Sequence, residues 1–549
     1  MNTNLLSHKR ENHSSPISSG NKAVVVGAGM GGLVSALILA NAGVEVTVLE
    51  THANCGGKLR QLWPGSLDTV SKENFHNSSS PPDTQGIDSG PTVLTMRWVF
   101  EELFESVGEN LSSELELSRL DVLARHAWSA DEGADQLTLY ADAAQNQEAI
   151  GKFAGPAELR RFNEFCRSAK DLYTALEGPI IREGSPSAKK LAFALGPRGL
   201  AMLAGIGPMR SLWDSLGGYF KDQRLRQLFA RYATYCGSSP WSAPATLMLI
   251  AQVEMDGVWS LKGGMRSLAK ALEKLCVKRG VIFKYQTRCS KIELKGDCVA
   301  AVQTDQGERF AADAVIFNGD IQALTSGLLG DTLKSRLPAQ EQKTERSLSA
   351  VTWSMRCSVH EERFKLDRHN VFFENNYANE FKDIFINKQL PTTPTVYICA
   401  QDRGFQNLDP SVELNDAVIK PNEPLFCLIN APATGDTHSL TKQELDACER
   451  ATFSLIKRCG LHLEVNPTRT IQTLPEDFHQ AFPATGGALY GQATHGWMQV
   501  FSRSQATTQV RGLFLTGGSV HPGPGVPMAA MSGRLAGAAA MEHLGLIKR

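Results

Sequence analysis

None of the 11 cysteines in this 549-residue chain sits in a CxxC pair or beside a histidine cluster; they are scattered from Cys55 to Cys459. That spacing argues against a zinc site and a disulfide framework, and it fits a reducing cytoplasm. An excess of charge is missing too. The 56 basic and 57 acidic residues nearly cancel, no basic tract suits nucleic acid, and no acidic tail is present. Continuous hydrophobic runs of spanning length are also lacking, residues 33–42 being the closest, so no membrane-crossing helix is expected. Residues 1–20 are polar without an apolar core, which speaks against a secretory signal there, and residues 1–21 read as a disordered leader. The length still allows about three domain-sized units with sizeable cores.

Against these absences stand two glycine-rich loops at opposite ends of the chain. Near the start, the apolar β-branched run 23–26 enters Gly27-x-Gly29-x-x-Gly32, with Gly31 inside the motif, and then an apolar-periodic helix. A second strand, 44–49, ends at Glu50. This is a βαβ dinucleotide fingerprint. Gly27 makes the tight turn, Gly29 lets a pyrophosphate approach, and Gly32 lets the helix pack closely on the sheet. Glu50 would accept ribose hydroxyls, and an acid there disfavours a 2′-phosphate. At the far end, the strand-like run 513–515 leads into a loop with four glycines and three prolines and then a small-residue helix beginning near Met528. Such a loop brings backbone close to a ligand, and the helix start offers it a positive dipole end.

Past Glu50, Cys55-Gly56-Gly57-Lys58-Leu59-Arg60 suits a second backbone approach to the pyrophosphate, with Lys58 or Arg60 offsetting its charge. A plain glycine turn with solvated cations is the competing reading. Residues 63–85 read as a polar surface insertion. Residues 117–141 look like short strands, and 156–176 like a polar helix. The apolar, Gly- and Pro-punctuated stretch 189–220, edged by Lys189, Lys190, Arg198 and Arg210, reads as two short helices. They either cap a tunnel and touch a bilayer interface, or form an ordinary buried hairpin. Gly263-Gly264-Met265 opens a helix, and several strand signals follow it. The alternating strand and helix signals of 348–483 complete a second sheet. Glu254 and Asp256 read as structural, and His495 and His521 as either loop braces or proton relays.

The run 55–60 together with the fingerprint resembles the FAD motif of the amine oxidase and carotenoid desaturase superfamily. IDSGPTVLTMRWVF (87–100), RQLFARYATYCGSSPW (226–241), GVWSLKGGM (257–265), GGALYGQATHGW (486–497) and GGSVHPGPGVPMAAMSGR (517–534) carry the likeness further. With them, most of 22–545 resembles the phytoene desaturase-type carotenoid dehydrogenases, and within these the hydroxyneurosporene (1-hydroxycarotenoid 3,4-) desaturases. The resemblance implies an α/β, two-domain, Rossmann-like FAD-binding flavoprotein with a mixed-sheet plus helical substrate domain. The FAD-binding domain would comprise 22–118, 257–330 and 484–549, and the substrate domain 119–256 and 331–483. FAD would be held by Gly27, Gly29, Gly31, Gly32, Glu50, Gly56, Gly57, Lys58, Arg60, Gly517, Gly518, Val526, Pro527 and Met528, with the backbone near Cys289 meeting the adenine. One departure concerns the last strand, which ends in Gly517-Gly518-Ser519 where many flavoproteins have Gly-Asp.

The implied substrate is a long, uncharged polyene with at most a terminal hydroxyl, so binding must come from an apolar tunnel. Removal of a hydride and a proton from adjacent carbons is the implied reaction, with His521 the nearest candidate base and no metal involved. Oxygen and a quinone are both open as electron acceptors. The expected location is cytoplasmic, with peripheral contact at the inner face of the cell membrane as an option. Rival readings are a phytoene or neurosporene desaturase, a carotenoid cis–trans isomerase, an amine oxidase and a non-catalytic lipid carrier. The amine oxidase would need an aromatic pair beside the flavin, which the C-terminal loop does not supply.

Overall fold

The computed structural model describes residues 20–65, 86–130, 133–207, 209–337, 345–404 and 419–548. The expected leader, up to residue 19, and the expected insertion, from residue 66 on, lie outside them.

Three distant parts of the chain meet in one parallel sheet. Its strand order is Leu513–Leu515, Ala314–Phe317, Lys22–Val26, Glu45–Leu49 and Ile282–Lys284. Apolar, β-branched runs suit this position because both faces of the sheet are covered, one by long helices and the other by a small antiparallel sheet and short helices. The glycine-motif helix, Met30–Asn41, is buried along its whole first three turns. It is sandwiched by the C-terminal helix, Val526–His543, and by Arg266–Lys278. Small residues permit that contact. A Cβ on Gly533 would come within 2.5 Å of the Gly31 carbonyl, and Ser35 donates to the Gly533 carbonyl at 3.1 Å. An antiparallel three-stranded sheet, Cys289–Lys295, Cys298–Thr304 and Arg309–Ala311, is attached beside it.

Among the described residues, eight further strands form a second, mixed sheet built on Ser349–Glu361 and Ile419–Ala431. The side chains of the latter alternate. Leu425, Cys427 and Ile429 enter a core shared with the helix Lys442–Arg458, whereas Phe426, Leu428 and Asn430 face a cavity on the other side. This is the period of two that a pleated strand imposes.

Helices from 143–255 form the cavity's other wall. The helix Ala143–Leu176 breaks at Gly155-Pro156, and Ala188–Ile206 breaks at Gly196-Pro197; both glycines have positive φ (85° and 60°). Proline removes a helix hydrogen bond and glycine allows the turn, so each long element behaves as two short ones.

Candidate cofactor and substrate site

One cavity of about 1020 Å³ runs through both halves of the molecule. At one end it is lined by Glu50, His52, Arg288, Cys289 and Asp305, in the middle by Gly27, Gly29, Gly31, Gly56 and Gly57, and beyond by Gly517, Gly518, Val526, Pro527 and Met528. It then continues between the second sheet and the helical wall, past Leu176, Ile180, Leu191, Leu203 and Ile250.

The glycine loop is held tightly from behind. Gly27 adopts φ 100°, accessible to glycine at little cost. A Cβ on Gly32 would lie 2.1 Å from the Gly27 carbonyl oxygen. Gly32 does not line the cavity; its task is to close the turn between strand and helix, a sharper constraint than the helix-on-sheet packing expected of it. A Cβ on Gly31 would meet the Thr516 hydroxyl at 2.3 Å, and one on Gly29 the Asn318 amide at 2.6 Å. Gly57, at φ 57°, lies where its Cβ would touch the Gly29 Cα at 3.2 Å, which brings the two loops into contact. Two successive backbone runs therefore line the cavity with no side chain between them and its interior.

Glu50 is buried at the end of its strand and accepts from the Ala28 N–H (2.7 Å) and the His52 N–H (2.9 Å). Burial pushes its carboxyl above the ordinary value, while the backbone donors pull it back. The Thr51 N–H is a third backbone donor, so of the about four acceptor positions on two carboxylate oxygens one stays open. The Thr287 N–H donates to the Glu50 carbonyl at 2.9 Å, which sets Cys289 beside Glu50 at the same end of the cavity.

Lys58 and Arg60 are engaged by the protein itself. The Lys58 ammonium donates to the Leu489 carbonyl, and burial lowers it to about 8. Arg60 donates to the Ser89 carbonyl (2.9 Å) and the Thr473 hydroxyl (3.2 Å) and lies over the Phe478 ring. Both cations line the cavity, yet these bonds tie them to the seam between the two halves, where Lys58 feels Asp320 and Arg60 feels Asp477.

Asp320 escaped the sequence reading. It is half-buried on the cavity lining, caps the helix Ile321–Thr325 through the Gln322 N–H (3.0 Å), and is bonded by Ser519. Burial raises its carboxyl, against the pull of Lys58 and Arg503. The acid missing from Gly517-Gly518-Ser519 is thus supplied to the same loop by the neighbouring strand. Its signal was present in Asn318-Gly319-Asp320, directly after a strand of the cofactor sheet.

The two histidines stand apart from the cavity lining. His521 is buried, its Nε2 lies 2.8 Å from the Glu183 carbonyl, and burial lowers its pKa. Its ring ties the C-terminal loop to the helical wall, the geometry of a brace rather than of a catalytic base. His495 pairs with Glu345 at 3.2 Å. Glu254, read from sequence as structural, does line the cavity and accepts from Tyr232 (2.7 Å) and Tyr235 (2.8 Å). Aromatic groups are present as well: Tyr235, Tyr377, Tyr397 and Tyr490 line the cavity from segments outside the C-terminal loop, so that loop's composition excluded nothing. Among the described residues, no group of His, Cys, Asp and Glu could hold a metal ion.

A βαβ glycine motif, a second glycine loop and a helix start around one cavity, facing a second domain's sheet, define a two-domain dinucleotide-binding oxidoreductase. The model of the flavin containing amine oxidoreductases matches residues 30–541, and the chain belongs to that family. The cofactor is FAD. The hydroxyneurosporene desaturase of Rubrivivax gelatinosus is 48% identical over 95% of this chain and 94% of its own length. That of Cereibacter sphaeroides is 38% identical over 95% and 98%. Among solved structures, putrescine oxidase bound to putrescine superimposes with a TM-score of 0.59 at 13% identity, covering 96% of this chain and 99% of that one. At that identity the likeness concerns the fold alone.

Proposed function

We propose that this chain is an FAD-dependent carotenoid desaturase that introduces a C–C double bond next to the polyene of an acyclic 1-hydroxy carotenoid. The observation that carries this reading is the continuity of the cavity, from a glycine-lined cofactor half into a long apolar half. The 48% identity to a hydroxyneurosporene desaturase over nearly the whole chain supports the substrate class.

Glu50 would take the ribose hydroxyls, the backbone at Gly27–Gly31 and Gly56–Gly57 the pyrophosphate, Asp320 the ribityl chain, and the loop Gly517–Met528 the ring. When bound, FAD supplies the hydride acceptor. The chain's own residues supply position and dryness. Leu176, Ile180, Leu203 and Ile250 exclude water along the polyene, and the N-terminus of Val526–His543 favours negative charge at the cofactor loop. A carbon allylic to a polyene yields hydride readily because the resulting cation is delocalised. Proton loss from its neighbour then demands only a weak base, so the brace-like placement of His521 is no obstacle.

Expression in cells accumulating neurosporene, lycopene or their 1-hydroxy derivatives tests the reading. A pigment shifted to longer wavelength with the hydroxylated substrates is expected; unchanged pigment with all of them contradicts it.

The substrate would enter from a bilayer. Among the described residues no helix is long and apolar enough to cross one. The helix Ala188–Ile206 instead sends Leu191 and Leu203 into the cavity while Phe193 is 92% exposed, and Met209 follows at 80%. Lys189, Lys190, Arg198 and Arg210 flank these residues. Such a surface suits peripheral docking on an anionic interface. Phe193→Asp should weaken co-sedimentation with anionic vesicles severalfold; equal sedimentation would remove this element of the account.

A further inference from the structure

A purely hydrocarbon substrate needs no polar floor, yet this cavity has one. Across the second sheet Thr352 pairs with Leu428, and Leu428 with Tyr397, so the three side chains lie in one row on the cavity face. Arg231 comes down on this row from the helical wall, its guanidinium 5.8 Å from the centre of the Tyr397 ring. It donates from Nη1 to the Tyr235 hydroxyl at 2.9 Å, and Tyr235 donates onward to Glu254 at 2.8 Å. Among the described residues this is the one hydrogen bond its guanidinium forms, although that group carries five N–H donors.

Two hydroxyls on the same cavity lining are also left over. Tyr377 and Thr352 both line the cavity, both are buried, and neither hydroxyl has a hydrogen-bond partner. Buried polar atoms in folded proteins almost always have partners, so such a pair marks a place where a ligand atom belongs. The Tyr377 ring is held in place by Trp241 (centroids 5.7 Å apart) and Phe381 (5.1 Å).

The charge in this corner is already balanced. Glu254, fixed by two tyrosine hydroxyls, attracts Arg231 across Tyr235. An anionic ligand would therefore meet a like charge, whereas a neutral group that both donates and accepts would not. The corner also adjoins the cofactor loop. Gly237 lies where a Cβ would approach the Tyr490 ring at 2.6 Å, and Gly491 lies likewise 2.6 Å from the Ser519 Cβ. A terminal hydroxyl two carbons from the bond being oxidised has to sit within a few ångströms of that loop.

We infer that Arg231, Tyr377 and Thr352, with Tyr235 orienting the arginine, form an end pocket for the tertiary hydroxyl of the substrate and thereby determine which C–C bond meets the cofactor. This rests on the desaturase reading above. The hydroxyl oxygen accepts from Arg231, and its proton goes to Thr352 or Tyr377. The apolar remainder of the polyene leads away past Leu203 and Ile250. A chain end without the hydroxyl leaves the three polar groups unpaired, and such a site discriminates strongly against it.

The test uses the flavin-loaded full chain and two matched pairs of acyclic carotenoids, hydroxylated and deoxy: a saturated substrate pair for kinetics and the already desaturated product pair for equilibrium binding. Wild type should favour the hydroxylated member of each pair. Tyr377→Phe and the nearly isosteric Thr352→Val should each lower the preference about tenfold, through KM and the product's Kd more than through kcat. Flavin content and melting temperature equal to wild type show that the variants fold. Equal preference in wild type and both variants, or no preference in wild type, overturns the end pocket. A wild type that converts neither substrate overturns the desaturase reading instead, and the product-binding measurement still decides the pocket.

Discussion

The two walls of the cavity are built on opposite principles. On the cofactor side, backbone makes the surface: Gly27, Gly29, Gly31, Gly56 and Gly57 bring main chain up to the cavity, and added Cβ atoms would meet neighbours at 2.3 to 3.2 Å. On the substrate side, side chains make it: apolar residues from broken helices face a sheet that presents Thr352, Tyr397 and Asn430. Backbone chemistry tolerates no substitution but is indifferent to the rest of the molecule. Side-chain chemistry is adjustable but exists only once distant segments have met.

If this contrast is right, the largest effect belongs to the smallest change on the cofactor wall. Gly32→Ala puts a methyl group against the Gly27 carbonyl, and a loss of about 4 kcal/mol or more together with flavin-free purified protein is expected. Chemical denaturation and the flavin absorption spectrum check it. On the substrate wall the largest response should be electrostatic. Burial pushes the Glu380 carboxyl, which accepts from Thr395 (2.6 Å) and Asn430 (2.8 Å), from its ordinary 4.5 up to about 7. Between those two values the folded chain holds more protons than the unfolded one, so stability falls as pH rises through that window, by up to about 3 kcal/mol. Melting curves of Glu380→Gln should lack that decline; a decline identical to wild type would place its cause elsewhere.

Next in size come the two acids of the cofactor wall. Glu50→Gln and Asp320→Asn should each weaken FAD about tenfold to a hundredfold, as expected when a hydrogen bond to a charged group is lost. Flavin release during equilibrium dialysis measures this. An unchanged affinity in Asp320→Asn would show that Ser519 does not depend on it for the ribityl side. The smallest effect should come from Gly43→Ala. Gly43 also has positive φ (87°), but nothing lies within 4 Å of its would-be Cβ, so only the backbone penalty of about 1 kcal/mol applies. Equal losses at Gly32 and Gly43 would erase the distinction between steric and conformational need.

The same contrast explains what could be read from the sequence. Gly27-x-Gly29-x-x-Gly32, Glu50, Gly56-Gly57 and the loop from Gly517 were visible because a local spacing of glycines and acids specifies them, whatever surrounds them. Asp320 was missed because its meaning depends on Ser519, which reaches it only when the parallel strands Ala314–Phe317 and Leu513–Leu515 lie side by side. Lys58 and Arg60 were visible as cations, but not that Leu489, Ser89 and Thr473 would claim their protons. Arg231, Glu254 and Tyr377 could not be grouped at all. One helical region and the separate short helix Tyr377–Phe381 bring them together, and no periodicity in the sequence announces that meeting. His521 drew attention by its place beside the glycine loop, and its ring turned out to face the Glu183 carbonyl.

If both walls serve one reaction on a hydroxylated polyene, flavin and pigment must change together. Anaerobic mixing of the FAD-loaded protein with one equivalent of an acyclic 1-hydroxy carotenoid tests it most directly. The oxidised flavin's visible absorption should be lost as the pigment's absorption moves to longer wavelength, in equal molar amounts. An isomerised pigment with the flavin still oxidised, or no change in either chromophore, would contradict it.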